Sequence, residues 1–370
     1  MKINIKSLFL FFILAFTQNA FSQCDSITVQ NVTSFTPFAL DSIVESDGLR
    51  NGPDYDNATL YFPTNGDDNL KSIVLVPGYL ASQNFVAFWA RYLTSRGFVC
   101  MTIGTNSLSD DPTLRASALL DGMKTIRQEN NRTSSPLFER IDTSNFAVGG
   151  WSMGGGGAQL AAKIDTRIKA VLAIAPWLGS FVSSDLNHTS PLLIISGQLD
   201  AFAPPILHAD LHYTNTPSST NKLLFEVSLG SHFTPLYPST GNGDIGNLAY
   251  AWLKLFLDDN HCYCEMLGVD SLDQNLTASK YLTNLNCSTL SATNIEHSAL
   301  NIQIFPNPAT EEVNIKFPKQ NQLEYSIYDV FGQQIKDGKV DSGDKIKIEG
   351  FASGTYFLHV DQQVFILLKK

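Results

Sequence analysis

Three side chains far apart in the chain have the types and order of a nucleophile, an acid and a base. Gly150-Trp151-Ser152-Met153-Gly154 follows the apolar run NFAVG and opens the stretch GGGAQLAAK. This is G-x-S-x-G between a predicted strand and a predicted helix, where the glycines let a serine sit on a tight, strained turn. The N–H groups of the following helix then point to where negative charge develops. Asp200 ends PLLIISGQLD just past a predicted strand, and His232 follows the strand LLFEV through the turn SLGSH. In this order neutral His232 takes the Ser152 proton, Asp200 holds the imidazole tautomer, and the chemistry is acyl transfer. The residue after the nucleophile, Met153, supplies one oxyanion N–H. The loop VPGYLASQ supplies the other, from Tyr79, with Gly78 allowing the turn.

The rivals are weaker. Asp185 lies in a loop and Asp210 on a helix, while His188 precedes Asp200 and breaks the order. His208 and His212 are four apart on a helix, the spacing of a metal pair. With no Glu between them and no third ligand evident, they read as a solvated face. His261 falls past the last helix of this region, and His297 and His359 fall outside it. No metal and no cofactor is expected. Tyr79, Trp151, Trp177, Phe202 and Phe233 flank the loops at strand C-terminal ends, where open α/β sheets bind ligands, and predict an aromatic-walled cleft. The stretch Leu178 to Pro191 is short and polar. It leaves no room for an apolar lid, so the groove is open and can reach an ester inside an extended or solid polymer.

The elements that must position these groups alternate. Apolar runs at 73–76, 98–103, 146–148, 170–175, 192–196 and 224–227 read as strands, with helical patterns at 85–95, 113–128, 155–162, 205–213 and 247–258 between and after them. That predicts an α/β fold, a mostly parallel sheet with helices on both faces. Ala58–Phe62 adds an antiparallel strand. The end of the chain (VNIKF, EYSIYDV, KIKIEG, TYFLHV, VFILLK) predicts a small C-terminal all-β sandwich.

Lys2 and Lys6 ahead of the apolar run Leu8–Phe16, then the small residue Ser22, have the order of a signal peptide over residues 1–22. The run is about half the ~20 residues of a spanning helix, so no stable membrane span is expected. The catalytic region is expected over 23–287, a linker over 288–300 and the sandwich over 301–370. The 370 residues carry a net charge of −10, with −11 on residues 23–296 against +2 before them and −1 after them. This excludes nucleic acid as partner and favours a neutral, apolar ester over an anionic one. Export implies an oxidising compartment. Cys100, in FVCMTIG, reads as a buried free thiol, which leaves Cys24, Cys262, Cys264 and Cys287 for two disulfides. Cys262 and Cys264 flank one residue, so each should pair outward, one of them with Cys287; which one stays open.

Residues 52–288 resemble the bacterial cutinase-like polyesterases, including the poly(ethylene terephthalate) hydrolases, which have the α/β-hydrolase fold. The carrying segments are VPGY at 76–79, GFV with TIGTNS at 97–107, GWSMGGGG at 150–157, APW at 175–177, D-x-x-A-P at 200–204 and GSH at 230–232. The resemblance implies a triad of Ser152, Asp200 and His232, oxyanion donors at Tyr79 and Met153, and a substrate wall of Tyr79, Trp151, Trp177, Phe202 and Phe233. The implied activity is a secreted serine esterase acting on polyesters, with a carboxylesterase or lipase for small soluble or glyceride esters as the alternative. A surface adhesin with an inactive hydrolase domain is the non-enzyme reading. The tail, with IFPNPA at 304–309, SIYDVFGQQI at 326–335, GTYFLHV at 354–360 and Lys369-Lys370, resembles the sorting domains of the type IX secretion system. That implies the type IX machinery as a partner, outer-membrane translocation, and then cleavage or surface attachment.

Overall fold

The computed structural model describes residues 27–65, 68–268, 277–287, 302–317, 322–330, 332–360 and 363–370. The signal peptide, Cys24, the linker and His297 lie outside the described residues. The chain separates into two compact units, 1–290 and 291–370.

The first unit is built on one sheet. Its strands are β1 (Leu40–Val44), β2 (Ala58–Pro63), β3 (Leu70–Val76), β4 (Val99–Ile103), β5 (Ile141–Trp151), β6 (Ala170–Ile174), β7 (Leu192–Gly197), β8 (Lys222–Val227) and β9 (Ala278–Thr283). They lie in the order β1-β2-β4-β3-β5-β6-β7-β8-β9. Pairing is parallel from β4 through β3 and β5 to β8, and antiparallel at both margins. The central strands are nearly continuous apolar runs because both faces are covered. Alternation sends Ile73 and Leu75 toward Trp89 and Leu93 of α1 (Ala87–Thr94) and Leu248 and Trp252 of α5 (Asp244–Leu257). Val74, Val76 and Val148 face the other way. They meet Leu119 and Met123 of α2 (Pro112–Asn131) and Ala158 and Ala161 of α3 (Met153–Ile164). α2 starts where Asp111 accepts a hydrogen bond from the Leu114 N–H at 3.0 Å, with Pro112 in the first turn.

The expected α/β architecture is present, and the details differ where local signals are weak. β5 is longer than its apolar centre at 146–148 because the polar stretch Ile141–Asn145 continues the ladder beside β3. β1 and β9 were not expected. They are margin strands whose exposed polar residues break the apolar pattern. The helix expected over 205–213 begins as a single turn at Pro205–Leu207 and then becomes α4 (Ala209–Asn215), after the Pro204-Pro205 pair removes two N–H donors. A short α6 (Cys264–Leu267) precedes β9. Among the described residues no helix is long and apolar enough to cross a membrane.

The second unit has two antiparallel sheets. One is ordered β10 (Gln303–Phe305), β11 (Glu312–Lys316), β14 (Lys345–Lys347). The other is ordered β13 (Gln334–Val340), β12 (Leu323–Tyr328), β15 (Gly354–Val360), β16 (Gln363–Lys369). Val313, Ile315 and Ile346 from the first share one buried cluster with Ile327, Leu358 and Leu367 from the second, the sandwich expected from the sequence.

Candidate active site

Ser152 stands between β5 and α3 with φ 57° and ψ −121°, a conformation rare for a residue with a side chain. The turn is fixed on both sides. The Ser152 N–H donates to Ile174 O at 2.8 Å, and its carbonyl accepts the N–H groups of Gly155 and Trp177, each at 2.9 Å. The flanking glycines are required by closeness: a Cβ on Gly154 would meet Val76 O at 2.3 Å, and one on Gly78 would meet Ser152 Cβ at 2.7 Å. Among the described residues no backbone acceptor takes the Met153 or Tyr79 N–H. Both are therefore free to donate to an oxyanion.

Asp200 and His232 come from the loops after β7 and β8. The two loops are bound together by the Gln198 N–H to Val227 O at 3.0 Å and the Leu199 N–H to Gly230 O at 2.7 Å. Both side chains are buried. Asp200 Oδ1 accepts the Phe202 and Ala203 N–H groups at 2.8 and 2.7 Å, which leaves Oδ2 to the His232 Nδ1–H at 2.6 Å. An ionised carboxylate only accepts, so Nδ1 carries the proton and Nε2 is the free base. His232 is tied to the nucleophile turn through Trp151, whose indole N–H donates to the His232 carbonyl at 3.0 Å. Ser152 Oγ itself is not hydrogen-bonded to the imidazole; such contacts commonly close only with substrate bound.

The rivals are engaged elsewhere. Asp210 pairs with Lys280 at 2.7 Å, and Asp185 with Lys163 at 3.1 Å. His188 is buried with Nδ1 at 3.0 Å from Ser190 O, and burial pushes its pKa down to about 4. The expectation that His208 and His212 form a solvated face is wrong, because α4 packs this side inward and both are buried. His212 Nδ1 lies 2.9 Å from Gln159 Nε2, and burial holds its pKa at about 3. His208 stacks beside Trp177, ring centroids 6.1 Å apart. Among the described residues no three His, Cys, Asp or Glu converge on a metal-sized site.

The aromatic residues divide. Tyr79 is 51% exposed, Phe202 68% and Phe233 44%, and Trp177 is half-buried. Trp151 departs from the expected substrate wall. It is only 4% exposed because the last residue of β5 points into the space between Phe85 and the His232 loop. Its ring stacks on Phe85 at 5.7 Å and lies 4.9 Å from the His232 ring. Phe85 carried no sequence signal, since nothing local marks it as the support of a strand-end tryptophan. Beside the nucleophile a cavity of about 410 Å³ is lined by Met153, Trp177, Leu178 and Thr113. A cavity of about 500 Å³ lies at the start of β3 and β4, the other end of the sheet, and holds none of these residues.

Of the cysteines, Cys264 bridges Cys287, and Cys100 is free and buried. Cys262 is also disulfide-bonded.

Residues 19–288 match the family model for PET hydrolase-like proteins, and residues 303–370 match that of the secretion system C-terminal sorting domain. The chain is 36% identical over 230 residues to Cutinase est1 of Thermobifida alba, covering 61% of this chain and 74% of that one. It is 36% identical over 233 residues to Cutinase 2 of Thermobifida cellulosilytica, covering 61% and 83%. With the bis(hydroxyethyl) terephthalate hydrolase of Streptomyces coelicolor it shares 33% identity over 214 residues, covering 58% and 66%. The sorting domain marks a secreted protein of the type IX route. A strained serine at the head of a helix and a buried Asp–His pair beside it, carried on this sheet and matched over this length, mean that the chain belongs to the PET hydrolase-like family of serine ester hydrolases.

Proposed function

We propose that the protein hydrolyses ester bonds of polyesters, aromatic and aliphatic, with Ser152 as nucleophile, His232 as base and Asp200 as its orienting acid. His232 Nε2 takes the Ser152 Oγ proton as Oγ adds to the ester carbonyl carbon. The oxyanion is held by the Met153 and Tyr79 N–H groups. Collapse of the tetrahedral intermediate breaks the bond to the alcohol oxygen, which His232 protonates, and Ser152 is left acylated. Water, deprotonated by His232, then adds to the acyl carbon. Ser152 regains its proton and the carboxylic acid leaves.

The observation that carries this reading is the buried 2.6 Å contact between His232 Nδ1 and Asp200, held beside the strained Ser152 turn. A solid polymer as substrate is supported by the rim. Leu80 after β3, Leu108 after β4, Leu199 and Ile206 after β7, and Leu229 after β8 are all exposed, together with Tyr79 and Phe202. They all lie in loops at one end of the sheet, an apolar margin that suits a hydrophobic surface better than a soluble ester. The connection Leu178–Pro191 holds one short turn, Ser183–Leu186, and no lid helix. Residues 1–22 serve as the export signal and residues 301–370 engage the type IX machinery.

Incubation with amorphous polyester film should release soluble acid monomers, and Ser152→Ala should release none. Brisk p-nitrophenyl butyrate turnover without release from film would overturn the polymer reading in favour of a soluble-ester carboxylesterase.

A further inference from the structure

Arg115, in the first turns of α2, is completely buried and has no carboxylate partner within salt-bridge distance among the described residues. Its guanidinium is spent on three backbone carbonyls. Nη1 donates to Pro77 O at 2.8 Å, Nη2 to Leu108 O at 3.1 Å and Nε to Asp110 O at 3.0 Å. Burying the cation is costly, a cost that the nearby Asp110 and Asp111 carboxylates offset only in part, and a core position on a helix is more cheaply filled by an apolar residue. Pro77 lies in the loop that carries Tyr79, and Leu108 and Asp110 lie in the loop after β4, which holds the Tyr79 loop through the Leu80 N–H.

Pro77 lies two residues before Tyr79. Leu80, the residue after it, donates its N–H to Leu108 O at 2.8 Å, the carbonyl Arg115 also binds. Tyr79 is thus suspended between two points that one guanidinium fixes. The loop needs fixing, because Leu80 sits at φ 53°, a left-handed conformation that a leucine does not favour. The same arginine is locked to the nucleophile helix. A Cβ on Gly157 would meet Arg115 Cβ at 2.8 Å, and one on Gly154 would meet Pro77 O at 2.6 Å. The two N–H groups facing the oxyanion, Met153 at the head of α3 and Tyr79 in its loop, therefore share one mechanical reference.

We infer that Arg115 is a positioning residue for the oxyanion hole, setting the Tyr79 N–H relative to the Met153 N–H through its bonds to Pro77 O and Leu108 O. The planar fork is essential: three donors diverge to three carbonyls, which a lysine ammonium on a single stem cannot reproduce. The inference rests on the serine-esterase reading and deepens it.

The test uses the full chain with Arg115→Met and Arg115→Lys, each with circular dichroism and a thermal melt, and p-nitrophenyl butyrate as soluble probe. Displacing an oxyanion donor should lower kcat about 100-fold with KM within about twofold, since the donor acts only as charge develops. Lysine should recover under about tenfold of that loss. A cinnamoyl acyl-enzyme provides the second readout: the acyl C=O stretch should move toward the free-ester frequency in both variants, because a weakened donor polarises it less. If Arg115→Met does not fold, the kcat and carbonyl stretch of Arg115→Lys decide. Wild-type kcat in a folded variant, or an unshifted carbonyl stretch, overturns the inference. Ser152→Ala separates the layers. Activity surviving in that variant would sink the esterase reading itself, whereas a dead Ser152→Ala beside a fully active Arg115→Lys would remove only the role of Arg115.

Discussion

Replacing Asp200 by Asn should abolish catalysis while leaving the fold in place, and the geometry says which way the amide will turn. Oδ1 of Asp200 accepts two backbone N–H groups, from Phe202 at 2.8 Å and Ala203 at 2.7 Å. An asparagine must put its carbonyl oxygen there, because its NH₂ would face two donors. The NH₂ then takes the Oδ2 position and points at His232 Nδ1, 2.6 Å away in the wild type. A donor at that place forces Nδ1 to accept, so the proton moves to Nε2, the nitrogen meant to receive the Ser152 proton. The base is lost by tautomer, without loss of packing. The cost of that inversion in a serine triad is ~10⁴ in kcat, or about 5 kcal/mol of transition-state stabilisation. The assay is kcat for p-nitrophenyl butyrate with purified Asp200→Asn, beside a melting curve and the same measurement on Asp200→Ala. A folded Asp200→Asn variant within tenfold of wild type would refute the reasoning.

Acid should weaken the fold through its buried imidazoles. Burial lowers His212 to about 3 and His188 to about 4, whereas in the unfolded chain both protonate near ~6.5. Between those values the unfolded state binds more protons, so stability is complete above ~6.5 and falls as pH drops toward 4, by roughly 1.4 kcal/mol per pH unit per group. A melting temperature flat from pH 7 to pH 5, or a slope unchanged in His188→Asn, would count against this. The Cys264–Cys287 bridge spans a sequence separation of 23, so Cys287→Ser should cost about 3 kcal/mol by loop entropy, read as a lower denaturant midpoint with a steeper slope as the unfolded chain expands. Phe202→Ala, at an exposed rim residue, should lower monomer release from film several-fold more than it lowers p-nitrophenyl butyrate turnover; equal losses would argue against an apolar docking margin.

What could be read from the sequence was what is local or ordered along it. The serine elbow is local: the glycines and the serine that form the tight turn lie within Gly150–Gly157, so spacing alone exposes it. Asp200 and His232 follow from order and from their place just past two strands, because parallel strands deliver their C-terminal ends to one edge. Contacts between distant segments left no such trace. Trp151 reads as a cleft wall beside Ser152, and only the fold reveals Phe85 stacked on it and the His232 carbonyl at its indole. Arg115 looks like an ordinary helix cation after Asp110 and Asp111, and its three acceptors come from two separate loops. His208 and His212 were misplaced because four-residue spacing says which residues share a helix face and nothing about whether that face is covered. β1 and β9 escaped for the opposite reason: strands at a sheet margin are half solvated, and their alternation is diluted by polar residues.

The most direct test of the central chemistry is peptide mass spectrometry of the secreted protein quenched in acid during turnover of a slow ester. The predicted result is one acyl group per chain, on the peptide containing Ser152, absent in Ser152→Ala and in Asp200→Asn formed far more slowly. Acylation at another residue, or steady hydrolysis by Ser152→Ala with no covalent intermediate, would contradict it.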